Sequence, residues 1–162
     1  MTGFDLIIEE EDYRKICSVL QSLNEKCNAK VVYLVDKNGQ NIASAGEDKN
    51  IDKTSFASLV AGNVAATGGL AELLGEEEFS ILFHEGKRDS IHISIIANRI
   101  ILVVIFGEET NLGLVRLWVK KTVMDLARLF GEITGKEVHQ KILGDTDGLL
   151  DSSDQNIDSI KK

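Results

Sequence analysis

The sequence predicts an α/β (α+β) fold: a five-stranded antiparallel sheet sandwiched by helices, in the order helix-strand-strand-helix-strand-strand-strand-helix. Two stretches, Lys30 to Asp36 and Ile100 to Phe106, are apolar without alternation, as strands covered on both faces are. Short turn sequences at Lys37-Asn38-Gly39, Gly86-Lys87-Arg88-Asp89 and Asn98-Arg99 join strands by hairpins rather than by long crossovers. Longer stretches before, between and after the strands repeat apolar residues at alternating spacings of three and four.

Residues Glu9 to Cys27 place Tyr13, Ile16, Leu20, Leu23 and Cys27 on one helical stripe. Their acidic start, Glu9 to Asp12, suits the positive end of the helix dipole. Lys30 to Asp36 follows as a covered strand, and Gln40 to Gly46 returns as a weaker edge strand. Asp52 is an N-cap and Gly75 a left-handed stop for the middle helix. Wound at 3.6 residues per turn, that helix puts Phe56, Val60, Leu70 and Leu74 on one side, with Asn63 and Thr67 between them. The opposite side collects Ser58, Ala61, Ala65 and Gly69, flanked by Thr54 and Glu72. A solvent-facing helix surface is ordinarily charged, but this one is small and nearly neutral. Gly62, Gly68 and Gly69 each cost about 1 kcal/mol of helix stability relative to alanine, which points to close approach of another backbone. A helix buried on both sides within its own domain is the other reading.

Phe79, Ile81 and Phe83 alternate with polar residues, giving a strand with one strongly apolar face. Ile91, Ile93 and Ile95 alternate with His92 and Ser94 in the next strand, and simple hairpin pairing sets His92 opposite Phe83. The run Ile100 to Phe106 belongs in the middle of the sheet. Thr110 or Asn111 caps a final helix carrying Leu112, Val115, Val119, Leu126, Leu129 and Phe130 inward. A domain of residues 1–134 is therefore expected, with a flexible acidic tail over 135–162 that scatters Asp145, Asp147, Asp151, Asp154 and Asp158 among Gly and Ser. Its apolar pairs, Leu149-Leu150 and Ile157 with Ile160, suit docking onto a partner; a tail that merely solvates is the other reading.

If the first and last helices cover one face, the middle helix must cover the other alone. One helix is about 10 Å wide and five strands span roughly twice that. A second copy of the helix would complete the cover, so the pattern predicts a homodimer.

Composition narrows the partners. A net charge of -8 argues against nucleic acid or an anionic membrane. Cys17 and Cys27 lack metal or redox spacing and fit a reducing compartment as small apolar residues. With no basic leader and no long apolar run, a cytoplasmic, soluble protein is expected. No GxxxxGK[ST] loop occurs, and Ala66-Thr67-Gly68-Gly69 lacks the lysine that would reach phosphate. His84-Glu85 has no second histidine four residues on, and a metal site at His84 and His92 ranks below two partly exposed strand histidines. Ser90 and Ser94 lack an orienting acid at a recognisable spacing near His92. Arg14, Arg88, Arg99, Arg116 and Arg128 are the only arginines that an arginine finger would draw on. No active site, cofactor or metal is expected.

Four blocks carry a family resemblance: Asn28 to Gly46 (NAKVVYLVDKNGQNIASAG), Asn50 to Glu76 (NIDKTSFASLVAGNVAATGGLAELLGE), Phe83 to Ser90 (FHEGKRDS) and Ile101 to Lys121 (ILVVIFGEETNLGLVRLWVKK). The chain resembles the Roadblock / dynein light-chain superfamily and, within it, the bacterial MglB family. The resemblance implies a homodimer whose third strands pair edge to edge, with the middle helices side by side. It also implies activation of GTP hydrolysis by a small Ras-like GTPase of the MglA type, in the control of cell polarity or gliding motility. Such an activator supplies no arginine finger but orders the GTPase's own catalytic residues. The candidate partner-binding residues are Thr54, Ser58, Ala61, Ala65, Gly68 and Gly69; the candidate dimer interface is Gly62, Phe79, Ile81, Phe83 and His84. The rival reading is a passive dimeric adaptor without effect on hydrolysis.

Overall fold

A computed structural model describes residues 7–149, with side chains for 7–135. The elements are α1 (Glu10–Lys26), β1 (Val31–Asp36), β2 (Asn41–Gly46), α2 (Lys53–Leu74), β3 (Ile81–His84), β4 (Ser90–Ile96), β5 (Ile100–Phe106) and α3 (Leu112–Leu149). This is the mixed α/β order that the sequence predicts. The five strands form one antiparallel sheet in the order β2-β1-β5-β4-β3. β5, apolar at every residue and buried at every residue, takes the centre, and the weaker β2 and β3 are the edges. The β4–β5 turn has Ala97 and Asn98 both at positive φ, the geometry whose twist matches two antiparallel strands.

Side chains alternate across a strand, so the sheet has two distinct faces. Tyr33, Val35, Ile93, Ile101, Val103 and Ile105 pack with Ala57, Val60 and Val64 of α2. Tyr33 and Phe56 meet with ring centroids 5.0 Å apart, pinning the start of α2 to β1. The other face is shared: α1 lies on β1 and β2, and the first half of α3 borders His92 and Ser94 on β4. Between these helices the Lys26 ammonium of α1 sits 4.7 Å from the centre of the Trp118 ring of α3. Cys17 and Cys27 are free thiols, and burial pushes Cys27 above the ordinary thiol value.

Several expectations need correction. Leu70 and Leu74 do not face inward; they are 58% and 70% exposed, and Ala57, Val60, Ala61, Val64 and Ala71 form the inner line instead. The expected phase would have set Asn63 and Thr67 at the middle of an apolar interface, where unpaired polar groups are costly. Rotated, the helix brings Asn63 out to meet His84, and the Thr67 hydroxyl donates to the Asn63 carbonyl at 2.9 Å. Tyr13 is 44% exposed rather than part of the α1 stripe. β3 begins at Ile81, so Phe79 precedes the strand. His92, expected to be partly exposed, is buried.

α3 runs on to Leu149, past the point where the sequence reading begins an acidic tail. Lys136, Glu137, Gln140 and Lys141 favour helix, and the chain has no proline to stop it. The predicted tail beyond 149 lies outside the described residues. By internal contacts the chain divides into two units, Met1–Leu129 and Phe130–Lys162, and the sheet belongs to the first.

Truncation at the centre of this sheet checks the account. Leu102 is fully buried on β5, and Leu102→Ala is expected to cost about 2–5 kcal/mol in urea denaturation, with an unchanged dependence on urea.

Candidate partner-binding surface on the middle helix and the sheet edge

The ends of α2 are secured locally. Asp52 Oδ1 accepts from the backbone N–H of Thr54 and Ser55 at 3.2 and 3.3 Å, and the Ser55 hydroxyl donates to Oδ2 at 2.9 Å. The Ser55 hydroxyl, then the backbone donors, hold the Asp52 carboxyl below the usual carboxylate range. At the other end Gly75 adopts φ +75°, its N–H donates to Glu72 O, and Glu76 N–H donates to Ala71 O. Both predicted caps are present, and the paired bonds close the helix as a Schellman motif.

The helix has two flanks beside its inner line. On one, the hairpin tip at Gly39 comes close: a Cβ added there would lie 3.2 Å from Ser58 Cα and 3.7 Å from Ala61 Cβ. Ala61 is accordingly buried, which corrects its expected place on an open partner-facing row; the backbone that Ala61 admits is its own hairpin. Thr54, Ser58, Ala65, Gly68 and Gly69 are exposed. A Cβ at Gly62, Gly68 or Gly69 would meet nothing within 4 Å, so packing within the chain does not require glycine there.

The second flank leans toward β3. Asn63 Nδ2 lies 3.4 Å from His84 Nε2, tying the helix to the sheet edge. Leu59, Leu70 and Leu73 crowd this side at 74%, 58% and 84% exposure, and the sequence reading does not single them out as site residues. Projection at 3.6 residues per turn groups them roughly a quarter turn to two-fifths of a turn from Val60, a signal that becomes readable once Val60 is known to face inward. Along β3, Ile81 is 57% exposed, His84 is exposed, and Phe79 is half-buried. Phe83 is half-buried because its ring stacks on Phe106, with centroids 6.2 Å apart. The outer backbone edge of β3 has no strand neighbour among the described residues.

The pairing Phe83↔His92 occurs as the hairpin register predicts, and His84 pairs with Ile91. Directly paired residues share a face, so His84 and His92 lie on opposite faces of the sheet and cannot share a metal. Among the described residues no cluster of three or more His, Cys, Asp or Glu is suited to a metal. α2 has the length and apolar content to cross a bilayer, but its inner line is packed on the sheet.

This sheet order, with α2 the one described helix on its face, is that of a Roadblock domain. The Roadblock/LC7 domain matches residues 15–106, and the chain belongs to that family. Among solved structures, MglB of Myxococcus xanthus is 55% identical, with a TM-score of 0.75 over 79% of this chain and 96% of that one. An MglB described as having a tetrameric arrangement is 30% identical, with a TM-score of 0.76 over 82% of this chain and 99% of that one. The gliding protein MglB of Thermus thermophilus is also 30% identical, with a TM-score of 0.73 over 81% and 99%. Comparison with curated protein sequences gives no significant match.

Two outcomes follow from this geometry. Gly75→Ala forces a side chain into the left-handed region and is expected to lower stability by about 1 kcal/mol, read as a lower Tm with the fold retained. Burial first, and the Arg116 charge second, hold His92 below the ordinary histidine value of 6.5. Protons therefore bind the unfolded chain preferentially. Stability is flat above that value and falls as the pH drops through and below it. Urea midpoints measured at about pH 8 and about pH 5.5 should show this acid loss, and His92→Leu should reduce it.

Proposed function

We propose that two copies of this chain join through the β3 edges and the leucine flank of α2, and that the joint surface activates GTP hydrolysis by a small Ras-like GTPase of the MglA type. The observation that carries this reading is the exposure of Leu59, Leu70 and Leu73 beside the open glycines Gly62 and Gly69, on a helix fixed at both ends. Large apolar side chains kept in water on a rigid element mark an association surface. Partly buried Leu82, Ile91 and Ile95 at the rim of the α2-covered core support a second copy of α2 completing that cover. A self-complementary patch of this kind suits a two-fold dimer, in which the same residues are used twice. One relative is described as tetrameric and another as a gliding protein, which supports self-association and a role in polarity or motility in the cytoplasm.

The chemistry assigned to the partner-facing row is preorganisation. Thr54, Ser58, Ala65, Gly68 and Gly69 let a loop of the GTPase lie close to a rigid backbone, and a loop so held keeps the GTPase's own catalytic groups in the reactive arrangement. The chain thus acts as a regulator rather than an enzyme. Residues 1–134 form the regulatory domain, and the acidic residues from 135 onward are an appended segment.

Two measurements separate the parts of this reading. GTP turnover by the cognate GTPase should rise when the protein is added; binding without acceleration would make it an adaptor, and no binding would refute both. Ala65→Arg should abolish GTPase binding while the assembly keeps its mass in light scattering. Leu70→Arg with Leu73→Arg should instead yield a folded monomer, and an unchanged assembly would move the self-interface elsewhere.

A further inference from the structure

On the sheet face opposite α2, between α3 and the β3–β4 edge, a cleft of about 470 Å³ opens to solvent, within the size range of small-molecule sites. Its floor holds His92 and Ser94, 1% and 4% exposed. Neither ring nitrogen of His92 nor the Ser94 hydroxyl has a hydrogen-bond partner. Buried polar atoms are nearly always paired, so unpaired donors on two residues lining one cavity call for a ligand that accepts from them. Arg116 and Lys120, one turn apart on α3, line the same cleft, and neither has an acidic partner among the described residues. Apart from Ser80, the rest of the wall, including Ile81, Val123 and Met124, is apolar.

We propose that this cleft binds a small organic acid with an apolar body. Arg116 receives the carboxylate, and the Ser94 hydroxyl and a His92 ring N–H donate to it as charge-assisted hydrogen bonds. Lys120 adds charge at the mouth, and the body of the acid lies on Val123 and Met124. Two cations unmatched among the described residues, in a chain of net charge -8, make this a local anion-selective spot on an otherwise anion-repelling protein. The cleft lies on the face opposite α2; of the residues given to the self-interface only Ile81, on the β3 edge, borders it, so ligand binding is read independently of the GTPase assays.

The test uses the full chain, isotope-labelled, with octanoate as probe and octanol and inorganic phosphate as controls. Octanoate should give saturable shifts centred on the His92 ring and the β4 amides, and octanol should bind at least about tenfold more weakly. Arg116→Ala, at an exposed position that leaves the fold intact, and Ser94→Ala should each weaken octanoate about tenfold. Phosphate alone should give no saturable shift at His92. No saturable response to octanoate, equal binding of octanol, an Arg116→Ala variant that binds normally, or tighter binding of a capped Leu-Glu peptide than of octanoate would each overturn the proposal. The last result would assign the cleft to a protein segment instead.

Discussion

The pairing of β1 with β5 at the centre of the sheet is the constraint from which the rest of the molecule follows. From Val31↔Ile105 to Asp36↔Ile100 the two strands pair without interruption, and apart from Asp36 they present apolar side chains to both faces. Such a pair must be roofed twice. α1 and the first half of α3 share one side, and among the described residues α2 alone takes the other. That asymmetry leaves Leu82, Ile91 and Ile95 only partly covered at the margin of the α2 side. It also gives α2 two flanks to occupy, one turned to the β1–β2 hairpin and one to the sheet edge.

Most of this fold was legible in the residues. Uninterrupted apolar runs identify strands that are covered twice, and Asp52 and Gly75 mark the ends of α2 by local chemistry that needs no tertiary context. The hairpin register followed from turn length, which is why Phe83 and His92 could be paired in advance. The phase of α2 was not legible. Its apolar residues are too many and too evenly spread for a single stripe, so two rotations satisfy the pattern about equally. What selects between them is long-range: the ring contact of Phe56 with Tyr33, and the meeting of Asn63 with His84 on a strand that arrives later in the chain.

The same difficulty governed the site. Small residues on a helix admit a neighbouring backbone, but the sequence does not say whose. For Ala61 the answer is the chain's own Gly39 turn; for Gly62, Gly68 and Gly69 the space stays open. The exposed leucines were hidden because leucine on an amphipathic helix is ordinarily read as core. The burial of His92 was hidden because alternation alone does not reveal which face of an edge-proximal strand a later helix will cover.

The two caps of α2 have a further consequence. A helix whose termini are satisfied by its own neighbouring residues, and whose anchoring line is a narrow seam of alanine and valine, does not depend on its outer side chains to fold. Those side chains are then at liberty to drift. On the proposed function, relatives can exchange one docking chemistry for another along this helix while the sheet beneath stays constant, so divergence in what they recognise should concentrate on its flanks and spare its seam.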